Sequence, residues 1–145
     1  MNKNLRPEDL GDFLQQGKCA ILATHFRNGT TLLSPVWHEW EDGGFTVFVV
    51  TGDIKLRHIE HDPRVSIVVA DDGPPYRGIE VRGNAKIVQS DIQAVMHRVA
   101  ARYLGAEQAA AFIAGYGDTP TVCLRIEPGK LRVWDFADEF GSAGS

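Results

Sequence analysis

Residues 77–89 read RGIEVRGNAKIVQ, and in them Ile79, Val81, Gly83, Ala85 and Ile87 alternate with Glu80, Arg82, Asn84 and Lys86. A period of two puts the two sets of side chains on opposite faces of an extended chain, so the segment reads as a half-buried antiparallel strand. Other stretches read the same way. KCAILATHF is a strand, and Asn28-Gly29 is a strong hairpin signal. The returning strand, TTLLSPVWHEWE, ends at the turn Asp42-Gly43-Gly44, and FTVFVVT follows. RVSIVVAD is closed off by DDGPP, and TVCLRIEPGKLRVWDF is the last strand, with a turn or bulge at Pro128-Gly129.

Helical signals lie before the first strand and before the last. In RPEDLGDFLQQG, Pro7 suits a first helical turn, Glu8 and Asp9 suit its positive end, and Gly17 stops it. From Ser90 or Asp91 the period changes: Ile92, Val95, Met96, Val99 and Tyr103 recur at three- and four-residue steps. EQAAAFIAGYG is a shorter helix ended by glycine. Strict strand–helix alternation, the mark of a parallel sheet, is missing. The expected fold is mainly β with flanking α: a six-stranded antiparallel barrel, closed or partly closed, in one domain over residues 1–140. The tail at 141–145, GSAGS, is expected to be disordered.

Composition limits the function classes. A chain of 145 residues is long enough to bury a real core, and 43% hydrophobic with 23% charged residues is globular usage. The net charge of −4 argues against nucleic-acid binding. No apolar run is long enough to span a bilayer, and MNKNLRPEDL has no signal-like apolar region, so the expectation is cytoplasmic, with no membrane partner. Of the two cysteines, Cys123 lies in a strand-like run and reads as a buried thiol.

One segment interrupts the strands. In TGDIKLRHIEHDP, Asp53 can cap a helix and Pro63 must lie beyond its end. At about 100° per residue, Leu56 and Ile59 share the buried face. Lys55 then falls on the rim in the first turn, Arg57 on the other flank, and His58 and His61 away from the core. Free N–H groups at the helix start, Lys55 and the Thr51 hydroxyl would together form an anion site at the end of a strand. A solvated surface helix fits the same pattern. The histidine spacing offers no third ligand, so no metal site is expected, and no catalytic residue is assigned. In SPVWHEW, Pro35 removes a ladder donor and belongs at an edge or bulge. There Ser34, Val36 and Trp37 offer backbone groups and flat apolar surface to a heterocycle; an aromatic core corner is the alternative.

Taken in order, the hairpin, SPVW, T-x-x-x-K-x-R, DPRV and YR-x-x-EVRG resemble the split-barrel flavin and deazaflavin family related to pyridoxamine 5′-phosphate oxidase. The likeness covers Cys19 to Val88, and KLRVWDF also fits. Within the family the chain is most similar to the branch that uses coenzyme F420, a 5-deazaflavin, in place of FMN. The resemblance implies a split β-barrel and a homodimer with cofactor sites at its interface. It implies that Thr51, Lys55 and Arg57 hold the cofactor phosphate and that Ser34, Pro35, Val36 and Trp37 lie along the ring. Tyr76, Arg77 and Gly78 match the family's stretch near the cofactor, and the resemblance implies that Trp134 closes the pocket. The end, WDFADEFGSAGS, lacks the arginine-rich segment with which pyridoxamine phosphate oxidases bind substrate. The implied function is an F420-dependent reductase that passes hydride to a small electron-poor organic acceptor. The alternatives are an FMN-dependent oxidase and a carrier of a flavin-like or haem-like molecule without turnover.

Overall fold

The computed structural model describes residues 5–140. Seven strands form one antiparallel sheet: β1 (Ala20–His25), β2 (Thr31–Val36), β3 (Glu39–Glu41), β4 (Gly44–Val50), β5 (Arg64–Ala70), β6 (Gly78–Val88) and β7 (Thr121–Trp134). Helix α1 (Ile54–His61) links β4 to β5, α2 (Ile92–Leu104) and α3 (Ala106–Ala114) link β6 to β7, and α4 (Ala137–Phe140) follows β7. Across the sheet the order is β2-β1-β5-β6-β7-β4-β3.

That order forces a curl. β2 and β3 are the two edges of the sheet, yet only Trp37 and His38 separate them in the chain. Three Cα–Cα steps of about 3.8 Å bring the edges within roughly 11 Å of each other. The sheet therefore closes on itself through a covalent corner rather than a hydrogen-bonded ladder, which makes the barrel split. The expected count of six strands is corrected here, because TTLLSPVWHEWE is two strands on opposite edges. The break falls at Trp37-His38 because α2 captures both residues. The Trp37 ring stacks on Tyr103 at 4.7 Å and 9°, and the His38 N–H donates to the Tyr103 hydroxyl at 3.0 Å. Pro35 is on the edge strand, where its missing N–H costs no interior ladder bond.

Inward residues follow the period of two. Leu22, Phe45, Val47, Ile67, Val69, Ile79, Val81, Leu124 and Ile126 are all buried inside the barrel, with Phe13 beside them. A second apolar layer lies on the outer face of β4 and β7, where Met96, Ala100, Ala109 and Ile113 pack with Trp37 and Phe48. Cys123 is buried there against Val95 and Val99, as its strand context suggested. Asp42 and Gly43 both take positive φ (50° and 73°), the geometry of a two-residue hairpin between Glu41 and Gly44. The register of β6 against β7 slips between Arg82 and Gly83, so Gly129 is the extra residue of a bulge. A Cβ at Gly83 would strike the Glu127 carbonyl, which accounts for glycine in that strand.

The N-terminal helix expected over RPEDLGDFLQQG is two short 3-10 turns, Pro7–Leu10 and Phe13–Gln15. Gly11, at φ 63°, separates them. Arg102 donates to the carbonyls of Leu14 and Gln16 and Tyr103 donates to that of Lys18, so α2 fixes this segment to the barrel. The GSAGS tail lies outside the described residues.

Candidate functional site

Helix α1 starts where β4 leaves the sheet. Gly52 turns the chain at φ 101°, and Asp53 caps the helix, its Oδ1 accepting the Lys55 N–H at 2.9 Å. The other oxygen, Oδ2, forms an ion pair with Lys55 Nζ, also at 2.9 Å. Burial alone would raise the Asp53 pKa, but the two hydrogen bonds from Lys55 outweigh it and hold the carboxyl below its usual range. Leu56 and Ile59 face the core as the helical wheel requires. His58, expected to point outward, is buried instead: its Nδ1 lies 2.9 Å from the Thr24 hydroxyl and its ring meets Phe26 edge-on at 4.3 Å. The hairpin between β1 and β2 reaches over this flank of the helix, which sequence spacing could not convey. Burial, and then the nearby His61 and His25, push the His58 pKa down.

A groove of about 350 Å³ runs beside α1. Pro35, Val36 and Trp37 enter it from the end of β2, and Phe48, Val49 and Val50 from β4. Phe112 of α3 and Tyr116 just beyond it close another side, and Asp53, Lys55 and Cys19 supply its polar groups. The volume is at the small end of ligand sites, which are mostly apolar with a few placed polar groups. Trp37 is held in place by Tyr103 on one side and by Phe112, whose ring is 5.1 Å away.

Of the residues singled out in the sequence, the groove brings together Pro35, Val36, Trp37 and Lys55. Ser34, on the face of β2 opposite Pro35, is buried and outside the groove lining. Thr51 is exposed next to Val50, its N–H donated to the Pro120 carbonyl at 2.8 Å. Arg57 lines a different hollow, with Phe26, Arg27 and His61, on the other flank of α1. Tyr76, Arg77, Gly78 and Trp134 lie where β6 begins and β7 ends, outside the groove lining. There Gly78 makes room for the Trp134 indole, which a Cβ would penetrate, and the Arg132 guanidinium covers that indole at 4.8 Å. Tyr76 is exposed at φ 60°. Arg77 pairs with Asp71 at 3.0 Å, and Asp71 with Lys18 at 3.1 Å, one residue from Cys19 in the groove.

Sequence reasoning missed Phe48, Phe112, Tyr116 and Cys19 as groove residues. For Phe112 and Tyr116 the signal was present: two aromatics four residues apart at the end of a short helix share one face. His38, in the SPVWHEW corner, is fully buried with Nδ1 3.0 Å from the Tyr103 hydroxyl, and its Nε2 has no partner among the described residues. Burial, reinforced by the charge of Arg102, lowers its pKa to about 3, so it is neutral near pH 7. Among the described residues no group of three or more histidine, cysteine or carboxylate side chains is arranged to hold a metal ion.

Solved structures repeat this architecture. A conserved hypothetical protein from Mycobacterium tuberculosis superposes with a TM-score of 0.78 at 24% identity, over 92% of this chain and 87% of that one. An F420 reductase superposes at 0.66 with 26% identity, over 83% and 93% of the two chains. The haem storage protein of Vibrio cholerae superposes at 0.68 with 20% identity, over 88% and 93%. No curated protein matches the sequence. The pattern of the family described as pyridoxamine 5′-phosphate oxidase matches residues 7–135, nearly the whole of the barrel and its helices. The chain is therefore a member of the pyridoxamine 5′-phosphate oxidase family, with the split barrel that its sequence resemblance implied.

Proposed function

We propose that the protein is an oxidoreductase that uses coenzyme F420 to reduce a small electron-poor organic molecule. The observation that carries the reading is the meeting of a flat apolar wall, Pro35 to Trp37, and a lysine, Lys55, in one groove. A tricyclic ring and a phosphate need those two surfaces side by side. The 26% likeness to an F420 reductase over most of both chains supports the same choice. A bound reduced deazaflavin supplies hydride from its C5 carbon, so the hard chemistry belongs to the cofactor.

The chain's own residues bind and orient. Lys55 holds the phosphate, and Thr51, at the rim, adds a hydroxyl. Pro35, Val36 and Trp37 back the ring, while Phe48, Phe112 and Tyr116 exclude water from it. Fixing two reactants in such a slot accounts for several kcal/mol of a barrier without a side chain entering the bond changes. A second copy of the chain covers the groove, since Leu33 (65% exposed) and Ile21 (36%) leave the outer face of β1 and β2 apolar next to Pro35. On this reading Arg57, Tyr76, Arg77, Gly78 and Trp134 serve the cofactor across that two-fold interface.

The test is a fluorescence titration of the purified protein with F420 and, separately, with FMN, combined with light scattering. F420 is expected to bind at least tenfold more tightly, to a dimer. Equal affinity, or protein that emerges yellow with FMN, overturns the cofactor assignment. A monomer of 16.0 kDa with undiminished affinity overturns the shared site.

A further inference from the structure

We propose that Asp53 sets the charge of the phosphate this groove accepts, favouring a phosphodiester with one negative charge over a phosphomonoester with nearly two. The inference rests on the reading of Lys55 as the phosphate holder. A monoester carries about −1.5 to −2 at pH 7, whereas a diester stays at one charge. F420 joins its ring side chain to the rest of the molecule through a diester; FMN ends in a monoester.

Among the described residues the groove lining holds one cation, Lys55, and one anion, Asp53, and they lie 2.9 Å apart. Their charges cancel. The next cation on the helix, Arg57, lines the hollow on the opposite flank, and the nearby Lys18 is already paired with Asp71. A phosphate that approaches Lys55 therefore also approaches a carboxylate, and among the described residues of the same chain the groove lining has no further cation to answer its second charge. Asp53 cannot simply turn away. Its Oδ1 caps α1 through the Lys55 N–H, and its side chain is only 29% exposed. The hydrogen bonds that hold its pKa down keep it ionised in the range where a monoester gains its second charge. An aspartate at this cap is not required by the helix, because asparagine caps about as well. What asparagine lacks is the charge.

The experiment isolates the phosphate by keeping the ring constant. FMN and its methyl phosphodiester displace F420 fluorescence from the full-length wild type, from Asp53→Asn and from Lys55→Ala. Wild type is expected to bind the methyl ester several-fold more tightly than FMN. In Asp53→Asn the ratio is expected to swing about tenfold toward FMN. Thermal melts of Asp53→Asn check that the cap is preserved, and Asp53→Ser, another capping residue, repeats the test if asparagine misfolds. An ester ratio that does not change in either variant overturns the proposal, as does failure of both esters to displace F420 at millimolar concentration. If Lys55→Ala weakens both esters while the Asp53 variants leave their ratio fixed, Asp53 has no selective role and the phosphate reading survives. If Lys55→Ala leaves both esters unaffected, the phosphate reading itself has failed.

Discussion

Replacing Lys55 with alanine tests the binding reading at the cation that lines the groove beside Asp53. The side chain is 13% exposed and its ammonium is fixed 2.9 Å from Asp53, so little side-chain entropy remains to be lost when a phosphate arrives. A hydrogen bond to a charged group is worth about 1.5–3 kcal/mol. At roughly 1.4 kcal/mol per factor of ten, its loss weakens cofactor binding about 10- to 150-fold. A second effect pushes toward the upper end: without Lys55, the Asp53 carboxylate is left uncompensated and repels the phosphate. The double variant Asp53→Asn/Lys55→Ala should therefore bind better than Lys55→Ala alone, a non-additivity expected of groups in contact. The fold should persist, because the Lys55 N–H still reaches Asp53 and alanine is a good helix former. Deazaflavin fluorescence titrations at low and high salt measure all of this. Screening over about 10 Å at 0.1 M salt weakens the wild type more than the variant. Binding of Lys55→Ala within twofold of wild type, with the same salt slope, would show that the phosphate is held elsewhere.

Two further predictions concern stability. His38 ionises near pH 3 in the folded protein and near 6.5 when unfolded. Above pH 6.5 it is neutral in both states and contributes nothing to the pH dependence. As the pH falls below 6.5 the unfolded state takes up a proton that the folded state refuses, so stability is lost, by about 2 kcal/mol at pH 5. The depressed His58 acts in the same direction. Urea denaturation at pH 7 and pH 5 measures the loss, and His38→Leu should reduce it; a variant with the wild-type pH dependence contradicts the assignment. Gly78→Ala drives a methyl group into the Trp134 indole, and overpacking of that kind costs about 1–3 kcal/mol. A melting temperature equal to that of wild type would mean that Trp134 is free to move aside.

What the sequence made legible is what local periodicity carries. The β6 alternation, the Asp42-Gly43 hairpin and the α2 stripe depend on neighbouring residues alone, and the structure has each of them. The edge position of Pro35 was legible for a similar reason, since a missing N–H restricts a residue whatever surrounds it. Local signals ended at the Trp37-His38 corner. Nothing in TTLLSPVWHEWE marks a break, because what splits it is Tyr103, 65 residues further along, which takes the His38 N–H. His58 shows the same limit, buried by Thr24 and Phe26 from a hairpin that a wheel of α1 cannot contain. The candidate site falls between these cases. Pro35 to Trp37 and the Asp53–Lys55 pair are local motifs, and each was readable by itself. Phe112 and Tyr116 reach the groove only because α3 folds back against the corner that Tyr103 creates. One tyrosine thus splits the strand through its hydroxyl, seats Trp37 through its ring and brings the aromatic wall of the groove opposite it. The piece of the site that depends on that long-range contact is the piece the sequence did not disclose.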